Sequence, residues 1–193
     1  MIYLASQSPR RVELLQQIGV SFHQLMCEID ESPHIGELPA PYVQRMAEHK
    51  AVEGWRVRKL HNLPEKPLLA SDTSVVCQNT ILGKPENDHA ARDMLKQLSG
   101  RTHQVITAIA VTDGLNLKIQ SVTTDVTFHS LTGQQISDYI MTGEPEGKAG
   151  AYAIQGKGAV LVSGIRGSYS SVVGLPLSET AQILNQFNIP VWQ

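Results

Sequence analysis

An α/β fold is predicted, because short β-forming runs and amphipathic helical runs follow one another along the chain. Three stretches carry that prediction. Residues 2–4 lead through a polar corner into a helix, the uninterrupted run LLASDTSVVC (68–77) reads as a buried strand, and strand-like residues 103–112 and 117–128 flank the hairpin signal Asp113-Gly114. With 193 residues the chain can form one domain, or two closely joined lobes, around a substantial core. A hydrophobic content of 41% with 18% charged residues is that of a globular protein rather than a disordered one.

The opening corner, LASQSPRR (4–11), sets up a conflict of charges. Ser8 stands where an N-cap belongs, Pro9 fits the first helical position, and Val12, Leu14, Leu15 and Ile18 form an apolar stripe up to a cap at Gly19. Arg10 and Arg11 fall in the first turn, where the positive end of the helix dipole disfavours cations by roughly 0.3–1 kcal/mol. An anion at the corner would resolve the conflict, and two guanidinium groups beside unpaired N–H groups make a phosphate cradle. The plainer alternative is two solvated arginines on a surface helix.

Residues 20–27 then return as a strand ending in the carboxylate cluster Glu28, Asp30 and Glu31 before Ser32-Pro33. That is either a solvated turn or a place for a metal. The helix expected over residues 39–60 carries Val43, Met46, Ala47 and Ala51 on one face, and Lys50 falls on the same stripe. Lys50 either snorkels from the core edge or aims its ammonium at an anion. Residues 56–66 read as a frayed helix end and a loop without chemistry. Within the strand 68–77, Asp72 is the one charge, and a carboxylate in such a run must be paired, hydrogen-bonded or metal-bound. It is a functional candidate against the alternative of a structural cap.

Gln78-Asn79 turns into a short return strand, Lys84 lies on the Gly83-Lys84-Pro85 loop, and Asn87 caps a scaffold helix to Leu98 closed at Gly100. Asp125 and Thr127 are expected to face outward on their strand. A short helix over residues 134–141 ends at Gly143. Residues 147–158, GKAGAYAIQGKG, bring four glycines together with Lys148 and Lys157, which suits a loop whose backbone approaches a charged ligand closely. Two strands are expected over residues 159–165 and 168–173, and a last helix capped by Ser178 runs to Phe187.

Several classes of function are excluded. A net charge of −2 argues against a general nucleic-acid binder, so any phosphate site is local. No apolar run approaches a membrane span and the N-terminus lacks a leader pattern, so a soluble cytoplasmic protein is expected. Cys27 and Cys77 lack CxxC spacing and read as reduced, buried thiols. There is no Walker A, GxGxxG, GxSxG or HExxH motif. What remains is an inventory of cations at Arg10, Arg11, Lys50, Lys84 and Lys148 with carboxylates at Glu31 and Asp72. It suits an enzyme that holds a polyphosphate with Mg²⁺ or Mn²⁺ and activates water for attack on phosphorus.

The runs LASQSPRR (4–11), LLASDTSVV (68–76), GKP (83–85), LSGRTHQV (98–105), TDVTF (124–128), KAGAYAIQG (148–156) and VVGLP (172–176) together resemble the Maf family of nucleoside triphosphate pyrophosphatases, over nearly the whole chain. The resemblance implies a Maf/inosine-triphosphatase-like α/β fold. Its features would be an elongated mixed sheet flanked by helices and two lobes with a nucleotide cleft between them, treated as a single Maf-type domain over residues 1–193. It implies hydrolysis of a nucleoside triphosphate to monophosphate and pyrophosphate with a divalent metal, and a homodimer. Carried over by position, Asp72 matches the catalytic carboxylate, Glu31 an acidic residue near the metal, and Lys84 a catalytic or substrate-contacting lysine. Ser6, Arg10, Arg11, Lys50 and Lys148 fall at substrate-binding positions. Arg11, Thr73 and Gln155 match the dTTP/UTP branch, where the 7-methyl-GTP branch carries Trp, Gln and Glu. Gln7 departs from the glycine or threonine common between the two serines, and CEIDES leaves open whether Asp30 or Glu31 lies closer to the metal. A regulatory nucleotide-binding protein linked to arrest of cell division is the rival reading.

Overall fold

The computed structural model describes residues 1–192. Its strands are β1 (Ile2–Ala5), β2 (Phe22–Leu25), β3 (Leu68–Cys77), β4 (Thr80–Leu82), β5 (Thr102–Thr112), β6 (Leu117–Phe128) and β7 (Val162–Arg166). The helices are α1 (Pro9–Gln17), α2 (Pro39–Leu60), α3 (Asp88–Leu98), α4 (Gly133–Met141), α5 (Tyr169–Val173) and α6 (Leu177–Gln186). The strands form a seven-stranded sheet in the order β2-β1-β3-β5-β6-β7, with β4 hanging on β3. The sheet is mixed. β1 pairs in parallel with β2 and β3, whereas β4 joins β3 and β7 joins β6 in antiparallel register. The α/β class expected from the sequence holds.

The chain divides into two compact units, one made of residues 1–72, 107–122 and the C-terminal segment from 174, the other of residues 73–106 and 123–173. In the first unit β1 is buried along its whole length between two neighbours, which is why IYLA is continuously apolar rather than alternating. Val43, Met46, Ala47 and Ala51 of α2 are wholly buried, as the helical stripe predicted, and each large side chain there contributes about 1.5–3 kcal/mol of burial. Gly54 lets that helix lie close to the sheet, since a Cβ at this position would fall 2.8 Å from Ala5 Cβ and 2.9 Å from Leu68 Cδ1.

In the second unit Asn87 caps α3 through the Ala90 N–H at 2.9 Å, as expected. Helix α4 begins with a capping box that pattern reading overlooked, Thr132 and Gln135 exchanging side-chain and backbone bonds. Two 3₁₀ turns, Ala149–Ala151 and Lys157–Leu161, bracket the glycine-rich segment.

Several local expectations are corrected. Residues 168–173 form the short helix α5 rather than a strand, because Ser168 Oγ accepts the Ser171 N–H and Ser168 O the Val172 N–H, a start signal stronger than the β-branched pair Val172-Val173. The strand expected over 159–165 is pushed forward to β7 by the second 3₁₀ turn, and β2 keeps only the middle of 20–27. The last helix starts behind Pro176 at the N-cap position, so Ser178 lies inside its first turn. Residues 61–66 are the expected loop, but 56–60 is an ordered helix end rather than a frayed one: Arg58 is buried, stacks over the Trp55 ring at 4.4 Å and donates to Leu63 O at 2.8 Å. Both cysteines are free thiols, Cys77 buried and Cys27 only half-buried.

Candidate functional site

In the first unit the corner after β1 is built by Ser6. Its Oγ accepts the Ser8 N–H at 3.2 Å and an Arg11 guanidinium N–H at 3.3 Å, while its carbonyl accepts from Gln24 Nε2 at 2.8 Å. Ser8 holds the N-cap position with extended backbone, yet its side chain makes no cap bond, so the hydroxyl at work is that of Ser6. Arg11 is fixed a second time by donating through Nε to Gly174 O at 2.8 Å, a carbonyl that also accepts Ser71 Oγ at 3.0 Å. Burial pushes the Arg11 guanidinium down from its ordinary pKa and neighbouring Arg10 adds to this, with Asp72 and Glu31 opposing them. Two cations and two carboxylates therefore share one electrostatic neighbourhood.

Lys50 ties the carboxylates together. Its Nζ lies 2.6 Å from Asp72 Oδ1 and 2.6 Å from Glu31 Oε1. The stripe position of Lys50 thus ends on acidic side chains rather than on core edge. Asp72 is buried to 8% exposure and Glu31 stands at the surface, so the ammonium draws an exposed carboxylate towards a buried one. The loop carrying Glu31 is pinned to α2, where Tyr42 Oη donates to Glu31 O at 2.7 Å and Arg45 grips Glu37 and Ser32 O. Desolvation beside Asp72 and Glu31 raises the Tyr42 phenol to about 12, so it remains a donor at every physiological pH. Asp30 turns to Ser32 instead: hydrogen bonds from the Ser32 side chain first, and from its backbone N–H to Oδ1 at 2.9 Å second, hold the Asp30 carboxyl below the usual range. Of the two acidic residues left open by CEIDES, Glu31 is the one that converges with Asp72.

Thr73, Lys84, Lys148 and Gln155 belong to the second unit. The Lys84 loop meets the glycine-rich segment where the Gly150 N–H donates to Gly83 O at 3.0 Å, and Lys148 Nζ bends back to Glu146 O at 3.1 Å. Gly150 has φ +67 and a Cβ there would lie 2.8 Å from Val75 Cγ1, so no larger residue lets this segment settle on β3. Gln155 is exposed, and Thr73 directly follows Asp72 in β3. Asp125, expected to face outward, pairs with Arg166 across β6 and β7.

Tyr152 of the glycine-rich segment belongs to a buried ring cluster. His103 Nε2 is 2.8 Å from Tyr152 Oη, and the His103, Phe128 and Tyr152 rings meet edge to face with centroids 4.8–5.5 Å apart. Burial drives the His103 imidazole down to about 4. The unfolded chain takes up this proton near pH 6.5 and the folded protein resists it, so the stability linked to His103 is intact above pH 6.5 and is lost as pH falls towards 4. Over that window the loss amounts to about 2–4 kcal/mol. Thermal melts of wild type and His103→Gln between pH 7.5 and pH 4.5 check this on the order of a few kcal/mol: the gap between the two proteins should shrink on acidification, and a constant gap would refute it.

Sequence reasoning located the charged residues and missed what holds them. Nothing in the sequence marked Gln24, Tyr42, Ser71 and the Gly174 carbonyl as partners of these charges, since the three side chains bond backbone carbonyls and Gly174 accepts through its own. Among the described residues no cluster of three or more His, Cys, Asp or Glu is placed to hold a metal ion, so a metal here would rely on few protein ligands.

The chain is 53% identical over 190 residues to a dTTP/UTP pyrophosphatase of Pseudoalteromonas atlantica, covering 98% of each. It is 51% identical over 186 residues to one of Chromobacterium violaceum, covering 96% of this chain and 94% of that protein. The structure of the Staphylococcus aureus Ham1 protein aligns with 66% of this chain and 71% of its own, at 15% identity and a TM-score of 0.44, a likeness too slight to bear on the fold. The family model described as Maf-like protein matches residues 1–187, and with it the motifs from the SQSPRR corner to VVGLP find their common origin: the chain belongs to the Maf family.

Proposed function

We infer that the protein is a nucleoside triphosphate pyrophosphatase that hydrolyses dTTP and UTP to the monophosphate and pyrophosphate. The observation that carries this is the convergence of Asp72 and Glu31 on Lys50 beside Arg10 and Arg11, in a chain about half identical to dTTP/UTP pyrophosphatases over nearly its full length.

The carboxylates suit a divalent cation, since oxygens from both already lie within reach of one positive nitrogen. Glu31 and Asp72 would hold Mg²⁺ or Mn²⁺, with the remaining ligands drawn from phosphate oxygens and water. When bound, the ion would neutralise charge on the triphosphate. Asp72 takes the proton of the attacking water as its oxygen bonds to the α-phosphorus. The bond from that phosphorus to the bridging oxygen breaks, and pyrophosphate leaves with the electron pair. Arg10, Arg11, Lys50, Lys84 and Lys148 hold phosphate oxygens and meet the charge that builds on them, usually the largest contribution in phosphoryl chemistry. Ser6 keeps the corner in shape and presents its hydroxyl to the substrate. Thr73 and Gln155 hydrogen-bond the base, which discriminates strongly wherever a wrong base leaves a polar group unpaired.

Phosphate release coupled to inorganic pyrophosphatase, over a panel of nucleotides with Mg²⁺ or Mn²⁺, tests the activity. Turnover of dTTP and UTP is expected, and no turnover on any nucleotide would favour a purely regulatory binding role. On the same panel Arg11→Trp should change the order of preference among nucleotides by about tenfold or more. Equal loss on every substrate would return Arg11 to the phosphate cradle alone. A cytoplasmic location and a homodimer belong to the same proposal; no helix among the described residues is long and apolar enough to cross a membrane.

A further inference from the structure

Gln155 rides on an arch whose backbone is bound on both sides by two residues to which no role has yet been given. Tyr139 of α4 accepts the Ala153 N–H at 3.1 Å and donates its own hydroxyl to Glu144 Oε2 at 2.8 Å. Glu144 then accepts the Lys157 N–H on Oε1 at 2.8 Å and the Gly158 N–H on Oε2 at 2.7 Å. The Gly156 N–H closes a turn on Ala153 O at 3.2 Å. One carboxylate thus gathers two successive backbone donors of the 153–158 segment and a phenol bonded to that segment.

Gly156 is matched to this carboxylate and Gly158 to the phenol bonded to it. A Cβ on Gly156 would fall 2.0 Å from Glu144 Oε1, and one on Gly158 would fall 2.7 Å from both Tyr139 Oη and Ala153 O. Residue 156 takes no side chain while Glu144 stays where it is, and residue 158 none while Tyr139 and the Ala153 backbone stay where they are. Burial opposes the charge on Glu144, yet the bonds from Lys157, Tyr139 and Gly158 more than offset it and hold the carboxyl below the usual range. The acceptor is therefore fully charged at neutral pH. Ile154, beside Gln155, is buried and Gln155 is exposed, so the arch is anchored by its backbone and its inward residues while the amide side chain projects outward.

We propose that Tyr139 and Glu144 are positioning residues for nucleobase selection, fixing the 153–158 arch so that the Gln155 amide meets the base in one orientation. The proposal rests on Gln155 reading the base. Hydrogen-bond discrimination needs donor and acceptor held to within a few tenths of an ångström, and a side chain on a loose loop accommodates the wrong base nearly as well as the right one.

The test compares Tyr139→Phe, Glu144→Gln and Gln155→Glu by kcat and KM on dTTP and GTP. Tyr139→Phe and Glu144→Gln should each reduce the dTTP-over-GTP ratio of kcat/KM by about five- to tenfold, with the change in KM for dTTP rather than in kcat, and Glu144→Asp should recover part of it. Amide exchange should quicken at Lys157 and Gly158 in Glu144→Gln, a measurement that stands even where activity is poor. If Gln155→Glu alters the ratio and the other two variants leave it unchanged, the positioning role is wrong and base reading by Gln155 survives. If Gln155→Glu leaves the ratio unchanged, base reading is wrong and the positioning role falls with it. A lower melting temperature or a lower kcat at constant ratio would make the pair merely structural and overturn the proposal.

Discussion

Asp72→Asn is expected to lower turnover of dTTP by about 10²–10⁴-fold, the range spanned by general acid–base catalysis, while leaving nucleotide affinity nearly intact. Asparagine fills the same volume and its carbonyl still accepts from Lys50, which now lies 2.6 Å from Asp72 Oδ1, so the corner and the loop should hold their places. What is lost is an oxygen able to take a proton from water. Isothermal titration with a non-hydrolysable dTTP analogue, alongside the phosphate-release assay, separates the two quantities. Wild-type turnover by the variant would remove Asp72 from the mechanism, and loss of binding equal to the loss of rate would make it a binding residue only.

The second large effect is expected from Lys50→Met. The substitution keeps the aliphatic stem beside α2 but leaves Asp72 and Glu31 facing each other without their shared counter-charge. Breaking a buried pair by removing one partner costs about 3–5 kcal/mol, and the exposure of Glu31 brings the expectation here down to about 1–3 kcal/mol. A divalent ion seated between the two carboxylates would replace the ammonium. Mg²⁺ or Mn²⁺ should therefore raise the melting temperature of Lys50→Met more than that of wild type, in the absence of any nucleotide. An equal response in both proteins would show that Glu31 and Asp72 are not where the metal binds. Activity of Lys50→Met should fall as well, since one of the cations assigned to the phosphates is gone.

Much of the fold was legible because its strongest signals are redundant. LLASDTSVVC could be little other than a buried strand, and the α2 stripe, the Asn87 cap and the Asp113-Gly114 turn each agree with their surroundings. Helix α5 escaped because five residues are too few for a period to emerge, and serine hydroxyls decided its conformation locally. Within the site, charged residues announce themselves and their acceptors do not. Asp72 stood out as a charge in an apolar run, but nothing in Lys50 marked two carboxylates as its partners, because that requires a loop and a strand far apart in sequence to meet at one helix residue. Glu144 carries no signal in the sequence, and its role shows only where the Lys157 and Gly158 N–H groups reach its carboxylate.

The carbonyl of Gly174 has two suitors, the guanidinium of Arg11 at 2.8 Å and the hydroxyl of Ser71 at 3.0 Å. That redundancy bears on how the enzyme can diverge. If residue 11 mutates to a group that cannot donate, Ser71 still satisfies the oxygen, so the buried backbone is spared the roughly 1–3 kcal/mol that an orphaned acceptor costs. Exchange of residue 11 therefore does not by itself leave the Gly174 oxygen without a donor.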